Sequence, residues 1–92
     1  MSRAPLEGVR ILDLTAMLPG AICTQFLADL GADVTKIEPP EHGEAARGPK
    51  GTPPGGIFHV TNRNKESCAI DLKSAAGVAA MRGLIGQAQV LV

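Results

Sequence analysis

The sequence predicts an α/β chain whose strands lie in one parallel sheet. Two observations carry the prediction. Short aliphatic runs alternate with segments of helical period, and the first strand–helix–strand passage takes only about 30 residues, the size of a βαβ unit with a right-handed crossover. "VRILDL", residues 9–14, is short and aliphatic, follows Gly8, and reads as a buried strand. Residues 15–19 connect it to a helix starting at Pro19-Gly20, because proline suits the first helical position. Ile22, Phe26 and Leu30 recur at four-residue spacing with Cys23 and Leu27 beside them, which predicts one apolar helical face. Gly31 supplies its C-terminal cap. "ADVTKIE" predicts a second strand over residues 34–38, stopped by Pro39-Pro40, where a backbone donor is lost twice.

Residues 39–56 are dense in Pro and Gly and, on composition, read as disorder or a passive linker rather than a lid. For residues 57–60 a short helix and an extended piece both remain open. Residues 68–72 read as a third strand. Ser74 is a good N-cap, and Val78, Met81, Leu84 and Ile85 give a second amphipathic helix, weakened by Gly77, Gly83 and Gly86. "QVLV" looks like a fourth strand beginning just where the chain stops, as expected of a fragment. The expected organisation is thus a strand–helix–strand over 9–38, a Pro/Gly-rich loop over 39–56 and a strand–helix–strand over 68–92, with no internal repeat.

Composition excludes several functions. A 45% apolar content and zero formal net charge describe an ordinary globular chain without a nucleic-acid footprint. Phe26 and Phe58, the only aromatics, leave little for base stacking. "MSRAPLEGVR" lacks an apolar leader, and no apolar run approaches the ~20 residues that cross a bilayer. Cys23 and Cys68 read as buried, reduced core residues, and His42 and His59 lie outside any ligand spacing, so neither a disulfide nor a metal site is expected. The expected compartment is the cytoplasm.

Parallel strands bring their carboxyl ends to one edge, where open α/β sheets bind ligands. The candidate contacts are therefore residues 15–19, Glu38-Pro39 and residues 71–73. Lys73 is the cation best placed for an anionic ligand, whereas Asp71 also suits a local bond in the turn toward Ser74, and Arg47 is a loose loop cation. Glu38 stands where a dinucleotide fold keeps an acid for ribose, but "TAMLPGAICTQ" has one glycine where the fingerprint needs three. Asn62 and Asn64 read as turn formers, with Arg63 and Lys65 on the opposite, amino edge. Asp13, Asp29 and Asp33 read as surface acids. No nucleophile–base arrangement is evident from spacing.

"PLEGVRILDLT", "PGAICTQFLADLGADVTKIEPP" and "NRNKESCAIDLKS" together resemble the N-terminal part of the family III CoA-transferases, from Pro5 to Val92. That group includes formyl-CoA and carnitine CoA-transferases, and α-methylacyl-CoA racemase shares its fold. The resemblance implies a Rossmann-like large domain in an interlaced homodimer. It implies coenzyme A contacts at Met17, Leu18 and Pro19, and at Ile70, Asp71, Leu72 and Lys73. Two departures stand out: Pro39 replaces an arginine that addresses the CoA nucleotide in many relatives, and Glu66 replaces a cation.

The implied substrates are an acyl-CoA thioester and a carboxylic acid, between which the family moves CoA through a covalent aspartate intermediate. The racemases use a His/Asp pair instead. Both sets lie beyond Val92 in the family pattern, so no catalytic residue is assigned, and the 92-residue chain alone is expected to be inactive. A 2-methylacyl-CoA racemase segment and a non-catalytic CoA- or nucleotide-binding module are the alternative expectations, and a dinucleotide oxidoreductase half-domain is disfavoured by the missing glycines.

Overall fold

Four parallel strands form one sheet in the order β3-β2-β1-β4. The computed structural model describes residues 3–49 and 51–92. In chain order, β1 (Arg10–Asp13) leads through α1 (Pro19–Asp29) to β2 (Asp33–Glu38), and a 3-10 turn (Ala45–Arg47) precedes α2 (Gly56–Asn62). Then come β3 (Lys65–Ala69), α3 (Ala75–Ile85) and β4 (Val90–Leu91). Ile11 pairs with Val34 and with Val90, so β1 lies between β2 and β4. From β1 the chain steps outward to β2 and β3, then α3 carries it back to the other side of β1. That reversal is the topological switch point of a doubly wound sheet.

Side chains alternate across each strand, which separates two cores. Ile11 and Val34 pack with Ala28 and Ala32 on the α1 face, while Leu12 and Ile37 pack with Ile70 and Met81 on the α3 face. α1 presents Ala21, Thr24, Gln25 and Ala28 inward. This overturns the apolar face expected from Ile22, Phe26 and Leu30, for Phe26 is 63% exposed. Small residues let the helix approach the sheet closely, which turns the larger ones outward. Gly20 serves the same approach, since a Cβ there would overlap the Thr15 side chain.

Two further expectations need correction, and the alternative left open for residues 57–60 is resolved. The third strand covers Lys65–Ala69 rather than residues 68–72. It is an edge strand, paired only with β2, so polar Lys65, Glu66 and Ser67 are tolerated in it, and the apolar residues mark only its end. The Ile70 N–H still donates to the Glu38 carbonyl at 2.9 Å, after which residues 71–73 turn away. Residues 57–60 belong to a helix, α2. Cys23 is exposed rather than buried, and Cys68 is half-buried against the α3-face core; both are free.

α3 begins as its sequence suggests. The Ser74 hydroxyl accepts the Gly77 N–H at 2.9 Å, and a Cβ on Gly77 would collide with the Asp71 carbonyl. The first turn of α3 is thereby held against the end of the β3 connection.

Candidate functional site

The α1 face of the sheet is aliphatic in its amino half and ionic toward the carboxyl edge. Asp13 follows Ile11 by two residues, and Lys36 and Glu38 follow Val34 by two and four, so period-two alternation points all three to that face. Asp13 is 0% exposed. Its Oδ1 accepts the Thr15 N–H at 2.8 Å and the Thr15 hydroxyl at 2.6 Å; its Oδ2 accepts the Thr24 hydroxyl at 2.6 Å and Lys65 Nζ at 3.1 Å. Lys36 Nζ lies 3.9 Å from the same oxygen and donates to the Thr15 carbonyl at 3.2 Å. Lys65, whose side chain is 1% exposed, also donates to the Ala21 carbonyl at 3.0 Å and to Asn62 Oδ1 at 2.7 Å.

Burial alone would raise the pKa of Asp13, but the bonds from Thr15 and Thr24 and the Lys36 charge outweigh it and leave the carboxyl below its usual value. For Lys65, burial prevails over the Asp13 partner and lowers the ammonium pKa. The expected surface acid Asp13 is thus the centre of a buried cluster. Asn62–Lys65 is more than a local turn: Asn62 closes α2, Lys65 opens β3 with its side chain buried, and Arg63 and Asn64 donate to Asp29 at 2.8 and 3.0 Å. The segment staples α2 and β3 to both ends of α1.

A second polar cluster closes the end of β2. Arg47 donates to both oxygens of Glu38, from Nε at 2.7 Å and from Nη2 at 2.8 Å, and its guanidinium lies 4.0 Å over the Phe58 ring. The Glu44 N–H reaches Glu38 Oε1 at 2.8 Å and the Ser67 hydroxyl donates to Oε2. Burial pushes the Glu38 pKa up, but the Arg47 and Ser67 bonds dominate and hold it down to about 2. With both oxygens engaged, Glu38 has no free acceptor for a ribose hydroxyl. Residues 39–47 are likewise no passive linker, because Arg47 and Glu44 fold them back onto the sheet.

Between these clusters, at the carboxyl edge, lies a cleft of about 550 Å³, within the size range of small-molecule sites. Leu14, Thr15 and Ala16 line it from the β1–α1 loop, Pro39, Pro40, His42, Glu44 and their neighbours from the folded-back segment, and Ile70, Asp71, Leu72 and Lys73 from the β3–α3 connection. Ile70 is buried, while Leu72 and Lys73 are exposed at the rim. Asp71 Oδ1 accepts the Lys73 N–H at 2.9 Å, which shapes this turn. Met17 and Leu18 lie one step further along the β1–α1 loop and Pro19 opens α1, all three exposed and outside the cleft lining. Pro39 forms part of the wall where a cation was expected from the resemblance. Lys73 also borders a groove over α3 that Arg82 shares.

Sequence reasoning missed Asp13, Lys36, Lys65 and Glu44. A signal existed for the first two: a charge at an inward position of an otherwise aliphatic strand demands a buried partner. Among the described residues no group of three or more His, Cys, Asp or Glu side chains is placed to hold a metal ion. None of their helices is long and apolar enough to cross a membrane.

Comparison with known proteins agrees with this architecture. The chain is 43% identical over 94 residues to succinyl-CoA:glutarate CoA-transferase of Mus musculus, covering 99% of this chain and 22% of that protein. It is 41% identical over 91 residues to formyl-CoA:oxalate CoA-transferase of Escherichia coli O81 (strain ED1a), covering 96% and 22%. A crystal structure of a hypothetical protein from Mycobacterium tuberculosis superposes with a TM-score of 0.88 at 39% identity, covering 97% of this chain and 25% of that one. A CAIB/BAIF family protein from Brucella suis gives a TM-score of 0.88 at 36% identity, covering 98% and 25%. The chain therefore spans about a quarter of the length of these relatives. The family model for CoA-transferase family III matches residues 6–92, and the chain belongs to that family.

Proposed function

We propose that this chain is the N-terminal part of a larger CoA-transferase domain and forms part of its binding site for an acyl-CoA thioester. The observation carrying this reading is the carboxyl-edge cleft, where three separate strand ends converge and Lys73 stands at the rim. Apolar walls from Leu14, Ile37, Ile70 and Leu72 suit the pantetheine and adenine parts of CoA, and Lys73 suits a phosphate. Met17, Leu18 and Pro19 would meet the ligand where it leaves the cleft along the β1–α1 loop.

In this reading the protein moves CoA between carboxylic acids, as the names of its relatives describe for succinate with glutarate and formate with oxalate. The covalent chemistry falls to an aspartate outside residues 1–92, so the 92-residue chain alone is inactive. The full-length protein works as an interlaced homodimer in the cytoplasm and needs no metal. The test is steady-state kinetics of the full-length protein and its Lys73→Ala variant. Loss of one charge-assisted contact should raise the KM for the CoA ester roughly tenfold or more with kcat retained. An unchanged KM would remove Lys73 from the site.

A further inference from the structure

Glu44 lies in the Pro/Gly-rich segment yet is only 4% exposed. A carboxylate removed from water needs donors, and here the backbone supplies them. The Met17 N–H donates to Oε1 and the Ala46 N–H to Oε2, the latter at 2.9 Å. Met17 holds a φ of 64°, a left-handed conformation disfavoured for a residue with a side chain. The Glu44 carboxylate therefore grips a loop residue whose backbone would not choose that conformation unaided.

The β1–α1 loop is thus held at two points. Asp13 and Lys36 hold Thr15 from inside the sheet, and Glu44 holds Met17 from the opposite wall of the cleft. The two walls meet through this second tether, because Thr15 and Ala16 line one side while Pro39, Pro40 and Glu44 line the other.

We propose that Glu44 is a positioning residue that fixes the β1–α1 loop against residues 39–56 and so sets the width of the cleft for the CoA ester. The inference rests on the reading of that cleft as the CoA site. The Glu38–Arg47 pair anchors residues 39–56 independently, so removing the Glu44 carboxylate loosens the loop without releasing the segment.

The test uses full-length protein, wild type, Glu44→Ala and Glu44→Gln, in three measurements: calorimetric titration with CoA, steady-state kinetics, and hydrogen exchange of peptides covering residues 14–18. Glu44→Ala should bind CoA about tenfold more weakly, the change expected for one lost charge-assisted hydrogen bond. It should raise KM while sparing kcat and exchange residues 14–18 faster. Glu44→Gln keeps one carbonyl acceptor and should fall between the two, which decides the matter if Glu44→Ala does not fold. Wild-type affinity in both variants, or unchanged exchange at residues 14–18, overturns the proposal. Absence of CoA binding by the wild type would instead overturn the functional reading, and the exchange comparison then judges the tether alone.

Discussion

Replacing Lys65 by methionine tests whether the buried ionic cluster holds this part of the fold. Methionine nearly matches the lysine stem but brings no charge and no donor. Three acceptors lose Nζ at once: Asp13 Oδ2, the Ala21 carbonyl and Asn62 Oδ1, at 3.1, 3.0 and 2.7 Å. Asp13 keeps its threonine donors and Lys36 at 3.9 Å, so its charge stays compensated. The other two acceptors are left without that donor. Asn62 Oδ1 is left buried without the lysine donor, a loss that typically costs about 1–3 kcal/mol, and we expect Lys65→Met to fall in that range.

Asp13→Asn should cost more. It removes the one carboxylate that Lys36 and Lys65 share and leaves two ammonium groups buried with side-chain exposures of 2% and 1%. Native-state hydrogen exchange of the β1 and β3 amides in the full-length protein reads the opening free energy of this segment directly. The reasoning fails if Lys65→Met lowers that energy by less than about 1 kcal/mol, the worth of an exposed pair. It fails equally if Asp13→Asn proves milder than Lys65→Met.

Further outcomes follow from the second cluster and from α3. The Glu38 carboxyl is held down to about 2 in the folded protein, against an ordinary value of 4.5. Its stabilisation is therefore complete above pH 4.5 and is lost as pH falls toward 2; at most about 3 kcal/mol is involved, less what salt screens at the partly exposed Arg47. In urea unfolding of the full-length protein, the gap between wild type and Glu38→Gln should shrink across that window, and a pH-independent gap would contradict it. Ser74→Ala removes the acceptor for the Gly77 N–H and should destabilise the first turn of α3 by about 1 kcal/mol, read as faster amide exchange there.

The first two strands were legible because Ile11-Leu12 and the Val34 and Ile37 positions give short apolar segments bounded by Gly8 and by Pro39-Pro40. β3 was displaced in the reading because an edge strand tolerates Lys65, Glu66 and Ser67, which erases that signal. The carboxyl edge was singled out by element order alone, and the cleft with its Ile70–Lys73 wall lies at that edge. The Asp13–Lys65 pair joins residues 52 positions apart, a distance over which no local pattern informs. Only the inward placement of Asp13 and Lys36 on their strands hinted at it. The outward Ile22, Phe26 and Leu30 misled for a related reason: periodicity marks an apolar face but not which face meets the sheet, and here the small face does.

The central claim is that CoA lies at the carboxyl edge, against the β1–α1 loop and the Ile70–Lys73 turn. Hydrogen exchange of the full-length protein with and without CoA tests it most directly. CoA at that edge should protect residues 14–18 and 70–73 and leave exchange unchanged at residues 62–65 on the amino edge. Protection at residues 62–65 with none at 70–73 would contradict it.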